Sequence, residues 1–270
     1  DLSILQGEFP EALKIAVVRP IFKKGPRISA NNYRPISLLS NFAKIFEKII
    51  KSQLIEYLET NNLLSSSQYG FRKNLSTQDA LADVVSEISN GINNNEKVMG
   101  IFIDLTKAFD SIETSRLLLK LARLGLDEVA QRWFRSYLTN RRQYVKILDV
   151  NSTQEVINYG VPQGSVLGPL LFLIHINDVF KMDIVGKIVA FADGLAVITK
   201  GNTWDAAHSN ALTNMKKLLN WFYLNSLTIN LAKTKYITFS INKSGQPANS
   251  RLVAHRDNCN SNHSLCPCAS

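Results

Sequence analysis

Apolar residues recur along the chain in two periods, and the switch from one to the other marks the elements. Residues 14–22 alternate and end in KKGPR, which predicts a strand running into a turn. Residues 41–58 carry Phe42, Ile45, Phe46, Ile49, Ile50, Leu54 and Leu58 at three- and four-residue spacing, the stripe of an amphipathic helix, with Asn41 as its expected N-cap. Ser76 or Thr77 is placed to cap a second helix running through Ile88. The stretch NGINNNEK then reads as a loop before a short buried strand at 98–103. A helix over 111–124 is closed by Gly125, another covers 131–138, and 143–150 with 154–159 read as paired strands. Over 187–200 two apolar runs, IVAFA and LAVIT, flank Asp193-Gly194; this predicts a hairpin whose turn the glycine supports. A helix over 205–224 and further strand within 227–240 follow, and from Ile241 the apolar pattern stops. There is no internal repeat. Helices and strands are mixed rather than regularly alternating, so the expected class is α+β with an antiparallel-rich sheet.

Composition narrows the class. The 270 residues are 45% hydrophobic, which supplies a sizeable core and excludes a disordered polyelectrolyte. No run reaches the roughly 18 unbroken apolar residues of a membrane span, and the longest, 170–176, carries His175. The opening DLSILQGEFP lacks a basic region before an apolar block, so no signal peptide is expected, and the chain reads as a piece of a longer protein. Cys259, Cys266 and Cys268 crowd the end with none before them, so an intracellular protein, nuclear or cytoplasmic and not secreted, is expected. Zinc held by these cysteines with His255 and His263 ranks below a disordered tail over 241–270, because paired Cys-x2-4-Cys spacing is missing. The net charge is +9, and 19 of the 31 basic residues fall in three windows free of acidic residues. Such segregation suits a polyanion-binding surface, with a solvated basic face as the plain alternative.

Two carboxylates are candidates for chemistry. Asp104 closes the strand at 98–103, and Asp193 sits at the hairpin tip. If their strands are neighbours, both converge at one sheet edge. Such a pair can hold magnesium, which takes few carboxylates and leaves positions for phosphate oxygens. Read from pattern alone, an aspartate closing a strand is usually a cap or turn residue and Asp-Gly is usually just a turn, so the bland reading leads for both.

These residues lie within recognisable phrases. FIDLTKAFDSI (102–112), GVPQGSVLGPLLFLIHINDV (160–179) and FADGLAVI (191–198) resemble, in order and spacing, the palm motifs of reverse transcriptases. NYRPISLLSNFAKIFEKII (32–50) and QYGFRKNLSTQDAL (68–81) resemble the fingers motifs, and LTINLAKTKYITFS (227–240) those that close the palm. The wording is that of non-LTR retrotransposons, in particular the insect jockey-like group. The resemblance implies a right-hand polymerase with a fingers region over 1–95 and a palm over 96–240, with the thumb missing or incomplete. It implies an RNA template, a DNA primer, deoxynucleoside triphosphates and Mg2+, with Mn2+ as a possible substitute, and leaves the oligomeric state open. It assigns Asp104, the Leu105 carbonyl and Asp193 to the metal. It gives Phe109 the crowding of a ribose 2′-hydroxyl, and Gln163 and Gly164 contacts to the incoming nucleotide. Arg34 with Lys23 or Lys24 would neutralise the triphosphate. Gly70 and Arg72 would contact template, and Lys233 or Lys235 would protonate the leaving pyrophosphate.

One position departs from the pattern. The family's active-site phrase ends in two adjacent aspartates, whereas here Gly194 follows Asp193. Losing a carboxylate beside the metals of an electrostatic site costs several kcal/mol, at 1.36 kcal/mol per tenfold in rate. The expectation is therefore an RNA-directed DNA polymerase domain impaired at Gly194. The alternative is a decayed or repurposed nucleic-acid-binding remnant without polymerase activity.

Overall fold

The computed structural model describes residues 2–241 and Leu252. In chain order its elements begin with α1 (Leu2–Gln6), β1 (Ile15–Phe22), β2 (Tyr33–Leu38), α2 (Asn41–Thr60) and α3 (Thr77–Asn93). Next come β3 (Lys97–Ile103), β4 (Leu105–Thr106), α4 (Thr114–Ala122) and α5 (Glu128–Leu138). Strands β5 (Arg141–Ile147), β6 (Val150–Asn151) and β7 (Glu155–Ile157) lead into α6 (Gly168–Ile176). The remaining elements are β8 (Lys187–Phe191), β9 (Gly194–Gly201), α7 (Trp204–Leu224), β10 (Thr228–Ile229) and β11 (Lys235–Phe239). The α+β class is met. The expectations for 242–270, zinc and a disordered tail, lie outside the described residues, apart from Leu252.

The chain forms two compact units. Among the described residues the first takes 2–64 and 109–175, and the second 65–108, 176–241 and Leu252.

In the first unit, β1 pairs antiparallel with β2 and parallel with β5, from Ile15↔Arg142 to Val18↔Val145. Strands β5 and β7 pair as predicted, and the pairing is antiparallel. The parallel partner of β5, 127 positions away at Ile15↔Arg142, carries no local signal. The core is aromatic. Phe9 meets Trp133 and Tyr137 edge-on at 5.6 and 5.1 Å, and those two rings stack at 5.3 Å.

Helix α2 corrects two expectations. Its cap is Ser40, whose hydroxyl accepts the Phe42 N–H, and not Asn41. Its buried face is Ala43, Glu47, Ile50, Leu54 and Leu58, while Phe42, Ile45 and Ile49 are exposed. The helix is apolar on two sides, so spacing alone did not say which side packs, and the buried one holds a charged residue.

In the second unit the sheet order is β11-β3-β9-β8, all antiparallel. Strand β9 is buried at five consecutive positions, as when helices cover both faces. Ala80, Val84 and Ile88 of α3 pack on Val98, Val189, Ala196 and Ile198, and α7 packs on β9 and β3. Ser76 caps α3 in a reciprocal capping box with Asp79. Against expectation, α3 runs on through Asn93, and within this extra turn Gly91 packs so closely that a Cβ would come within 2.6 Å of Val98 Cγ2. The NGINNNEK loop is thereby shortened to its last residues.

The two faces of α2 can be told apart by urea unfolding. Leu54→Ala is expected to cost about 2–5 kcal/mol, and Ile45→Ser no more than about 0.5 kcal/mol.

Candidate active site

The second unit brings the two predicted carboxylates to one end of its sheet. Strands β3 and β9 pair through Ile103↔Leu195. Continued by one place, that register sets Asp104 across from Gly194, with Asp193 next to it in the turn. On the other side β3 pairs with β11 through Lys235↔Phe102. Continued by two places, it sets Lys233 across from Asp104. The structure agrees: Lys233 Nζ lies 3.1 Å from Asp104 Oδ2.

Asp104 is held from the chain that wraps it. Its carbonyl accepts the Asn230 N–H at 2.8 Å, and its own N–H donates to Thr234 Oγ1 at 3.4 Å. Strand β10 pairs with β4 through Ile229↔Leu105, so the segment crosses both sides of the aspartate. Oδ2 is shielded from solvent and makes no hydrogen bond, so Lys233 approaches it as a charge only. With Lys233 68% exposed, the pair adds at most about 1 kcal/mol to stability. What it shows is a buried carboxylate oxygen that already attracts a cation. Two carboxylates and a carbonyl are the hard oxygen donors magnesium takes. Among the described residues no three His, Cys, Asp or Glu side chains gather around one point, so the third carboxylate is not replaced from elsewhere. Lys235, on β11, is exposed opposite Phe102.

The hairpin turn corrects the expectation for Gly194. Phe191 pairs with Gly194, so the central turn residues are Ala192 and Asp193. The positive φ belongs to Ala192, at 57°, and Gly194 opens β9 without one. A Cβ at Gly194 would meet only Phe191 O at 3.6 Å, an ordinary contact. Nothing in the backbone requires glycine there.

Glycine is required at Gly70, where a Cβ would fall 2.1 Å from Ala192 N. The buried Gln68 completes this clamp, a role its sequence position did not suggest. Its Oε1 accepts the N–H groups of Gly70 and Ala192 at 2.8 and 3.1 Å, and its Nε2 donates to Ala192 O at 3.2 Å. Arg72 Nη1 donates to the carbonyls of Ser65 and Gln68, so it also fastens this segment. The only earlier sign of Gln68 was its place in the QYGF phrase.

The first unit holds the other predicted residues. Lys23 and Lys24 follow β1 and Arg34 lies in β2, paired with Ile21; all three are exposed and none is in an ion pair among the described residues. Gln163 Nε2 donates to both oxygens of Asp110, at 2.7 and 2.8 Å. Asp110 was not singled out from the sequence, although it lies within FIDLTKAFDSI. The Ser37 N–H donates to Gln163 O at 2.7 Å, and Gly164 adopts φ 121° with its Cβ position 2.4 Å from Ser37 O. The loop is thus laid against β2 as closely as only glycine allows. Phe109 is half-buried, its ring 4.7 Å from that of buried Phe172. A cavity of about 210 Å³ is lined by Ser37, Asp110, Arg141, Gln143, Tyr159 and Gln163 among others. A larger one, about 830 Å³, lies between the N-terminal segment and α5. It contains none of the predicted residues, so the smaller cavity is the better candidate.

A family model described as reverse transcriptase (RNA-dependent DNA polymerase) matches residues 21–259. The chain is 32% identical over 260 residues to the RNA-directed DNA polymerase from mobile element jockey of Drosophila melanogaster, covering 92% of this chain and 28% of that protein. It is 30% identical over 244 residues to the probable RNA-directed DNA polymerase from transposon X-element of the same fly, covering 88% and 27%. The chain therefore spans little more than a quarter of the length of these curated relatives. Apo telomerase from Candida tropicalis, truncated from its C-terminal domain, shares the fold, with a TM-score of 0.61 over 88% of this chain and 52% of that one, at 13% identity. The jockey-like resemblance is borne out.

The two glycines are expected to respond oppositely to the same methyl group. Gly194→Ala should leave Tm within about 1 °C, whereas Gly70→Ala should lower it by about 4 °C or more, as followed by calorimetry.

Proposed function

The chain belongs to the reverse transcriptase (RNA-dependent DNA polymerase) family, and from that membership we propose that it is the fingers-and-palm part of a non-LTR element's RNA-directed DNA polymerase, with residues 1–95 as fingers and 96–240 as palm. The observation that carries this reading is the sheet end where Asp104 and Asp193 lie together, with Lys233 Nζ 3.1 Å from Asp104. Asp104, Asp193 and the Leu105 carbonyl would hold magnesium, or manganese in its place. When bound, the metal offsets charge on the attacking and leaving oxygens.

The chain's own residues do the rest. Lys23, Lys24 and Arg34 supply exposed cations for the triphosphate of a deoxynucleotide. Phe109, held on Phe172, crowds a ribose 2′-hydroxyl. Gln163 and Gly164 contact the nucleotide from a loop fixed on β2. The primer 3′-hydroxyl gives up its proton to solvent and its oxygen bonds to the α-phosphorus as the bond from the α-phosphorus to the bridging oxygen of the β-phosphate breaks, so that pyrophosphate leaves. Lys233, beside Asp104, is better placed than Lys235 to give it a proton. Gly70 and Arg72, on the segment clamped to the hairpin, face the RNA template.

A second reading has a specific observation in its favour. Gly194 leaves Asp104 without a carboxylate across the strand, and its backbone does not require a glycine. A folded, RNA-binding domain with little or no synthesis is the result if two carboxylates do not suffice. RNA affinity would then fall with salt and be indifferent to Asp104→Ala.

Primer extension on an RNA template with magnesium separates these readings. Gly194→Asp is expected to raise extension by about 100-fold or more, and Asp104→Ala to abolish it. No gain from Gly194→Asp would show that this position is not the lesion. Like charges across a strand pair repel. Without divalent cation, Gly194→Asp should therefore melt a few degrees below the parent, and magnesium should raise its Tm more than the parent's.

A further inference from the structure

Glu47 is fully buried on the inner face of α2. An ionised carboxylate taken out of water costs several kcal/mol unless its oxygens are satisfied. Both are. Oε1 accepts the Tyr137 O–H at 2.8 Å, and Oε2 accepts the Val166 N–H. Burial pushes the Tyr137 hydroxyl well above its ordinary range and the charge of Glu47 pushes it further, so it remains a donor. Tyr137 is itself fixed: it stacks on Trp133, and Arg141 Nη1 donates to its carbonyl at 3.1 Å.

Val166 is the informative partner. It lies two residues beyond Gly164 and two before α6, whose start at Gly168 is capped by Ser165 Oγ at 3.0 Å. The loop's first half is fastened by backbone bonds: Gly160 N–H to Ile112 O at 2.6 Å, and Val161 N–H to Phe109 O at 2.9 Å. Its middle is fastened by Ser37 N–H to Gln163 O. Beyond Gly164, Glu47 reaches the loop backbone from another element and accepts from it. A leucine of similar volume would fill the same space with no desolvation cost. It would leave the Val166 N–H without an acceptor.

We propose that Glu47 is a positioning residue that, through its bond to the Val166 N–H, holds Gln163 and Gly164 in register on β2 for the incoming nucleotide. This rests on the reading of Gln163 and Gly164 as nucleotide contacts. Glu47 touches no substrate, and its effect passes through the loop.

The test compares the parent chain with Glu47→Leu and Glu47→Gln, each on an RNA template with a DNA primer. It reads two things: hydrogen exchange of peptides covering 160–168, and the Kd of a fluorescent deoxynucleoside triphosphate with magnesium. In Glu47→Leu the loop should exchange faster and Kd should rise about tenfold, the weight of one charge-assisted hydrogen bond. In Glu47→Gln, which keeps the shape and a neutral acceptor, both should move the same way by about threefold. If Glu47→Leu does not fold, Glu47→Gln alone decides. Unchanged exchange and unchanged Kd overturn the proposal. So does faster loop exchange with Kd kept, which would make Glu47 structural only. A parent chain that binds no nucleotide overturns the underlying reading and this proposal together, before any substitution is compared.

Discussion

Strand β3 is paired antiparallel on both sides, and the candidate site depends on that constraint. Its register with β9 puts Asp104 across from the hairpin turn, and its register with β11 puts Lys233 across from Asp104. Side chains alternate along a strand, so a slip of one residue on either side would send Asp104 to the opposite face from its neighbours. Few alternatives exist, because Val98, Met99, Ile101 and Ile103 are all buried and would have to move with it. The chemistry of the sheet end is therefore fixed by the hydrophobic packing of its middle.

Three glycines show how differently one residue type can act. Gly164 and Gly70 permit approaches of 2.4 and 2.1 Å that no side chain tolerates. Each brings a polar segment against a neighbour's backbone: the loop against Ser37, and the Gln68–Arg72 segment against the hairpin turn. Gly194 permits nothing of the kind. It stands where a cross-strand carboxylate would face Asp104, and a Cβ there meets no close neighbour. Its consequence is chemical rather than conformational: Asp104 has no second carboxylate across from it to share a cation.

Buried polar groups carry the other half of the organisation. Gln68 and Glu47, both almost wholly inaccessible, each take two or more hydrogen bonds from backbone or tyrosine donors. Such groups are costly when half-satisfied, so each selects one arrangement of the loop it holds. In the second unit the loop held is the turn bearing Asp193, and in the first it is the one bearing Gln163 and Gly164.

Much of this was legible in the sequence. Apolar runs on either side of Asp193-Gly194 fixed the hairpin, the strand ending at Asp104 read as buried, Ser76 announced its helix, and the ordered phrases pointed to the reverse transcriptase family. Local signals of this kind rest on backbone propensity and side-chain period, which a few neighbouring residues determine. The tertiary structure decided what depends on partners distant in the chain. It chose the Glu47 face of α2 over the Phe42 face, continued α3 through Asn93, and paired β5 with β1 in parallel. It moved the strained turn position from Gly194 to Ala192, and placed Lys233, not Lys235, beside Asp104. Each is a choice between surfaces or registers that local sequence leaves nearly equal in energy, and only contacts closed across tens of residues separate them.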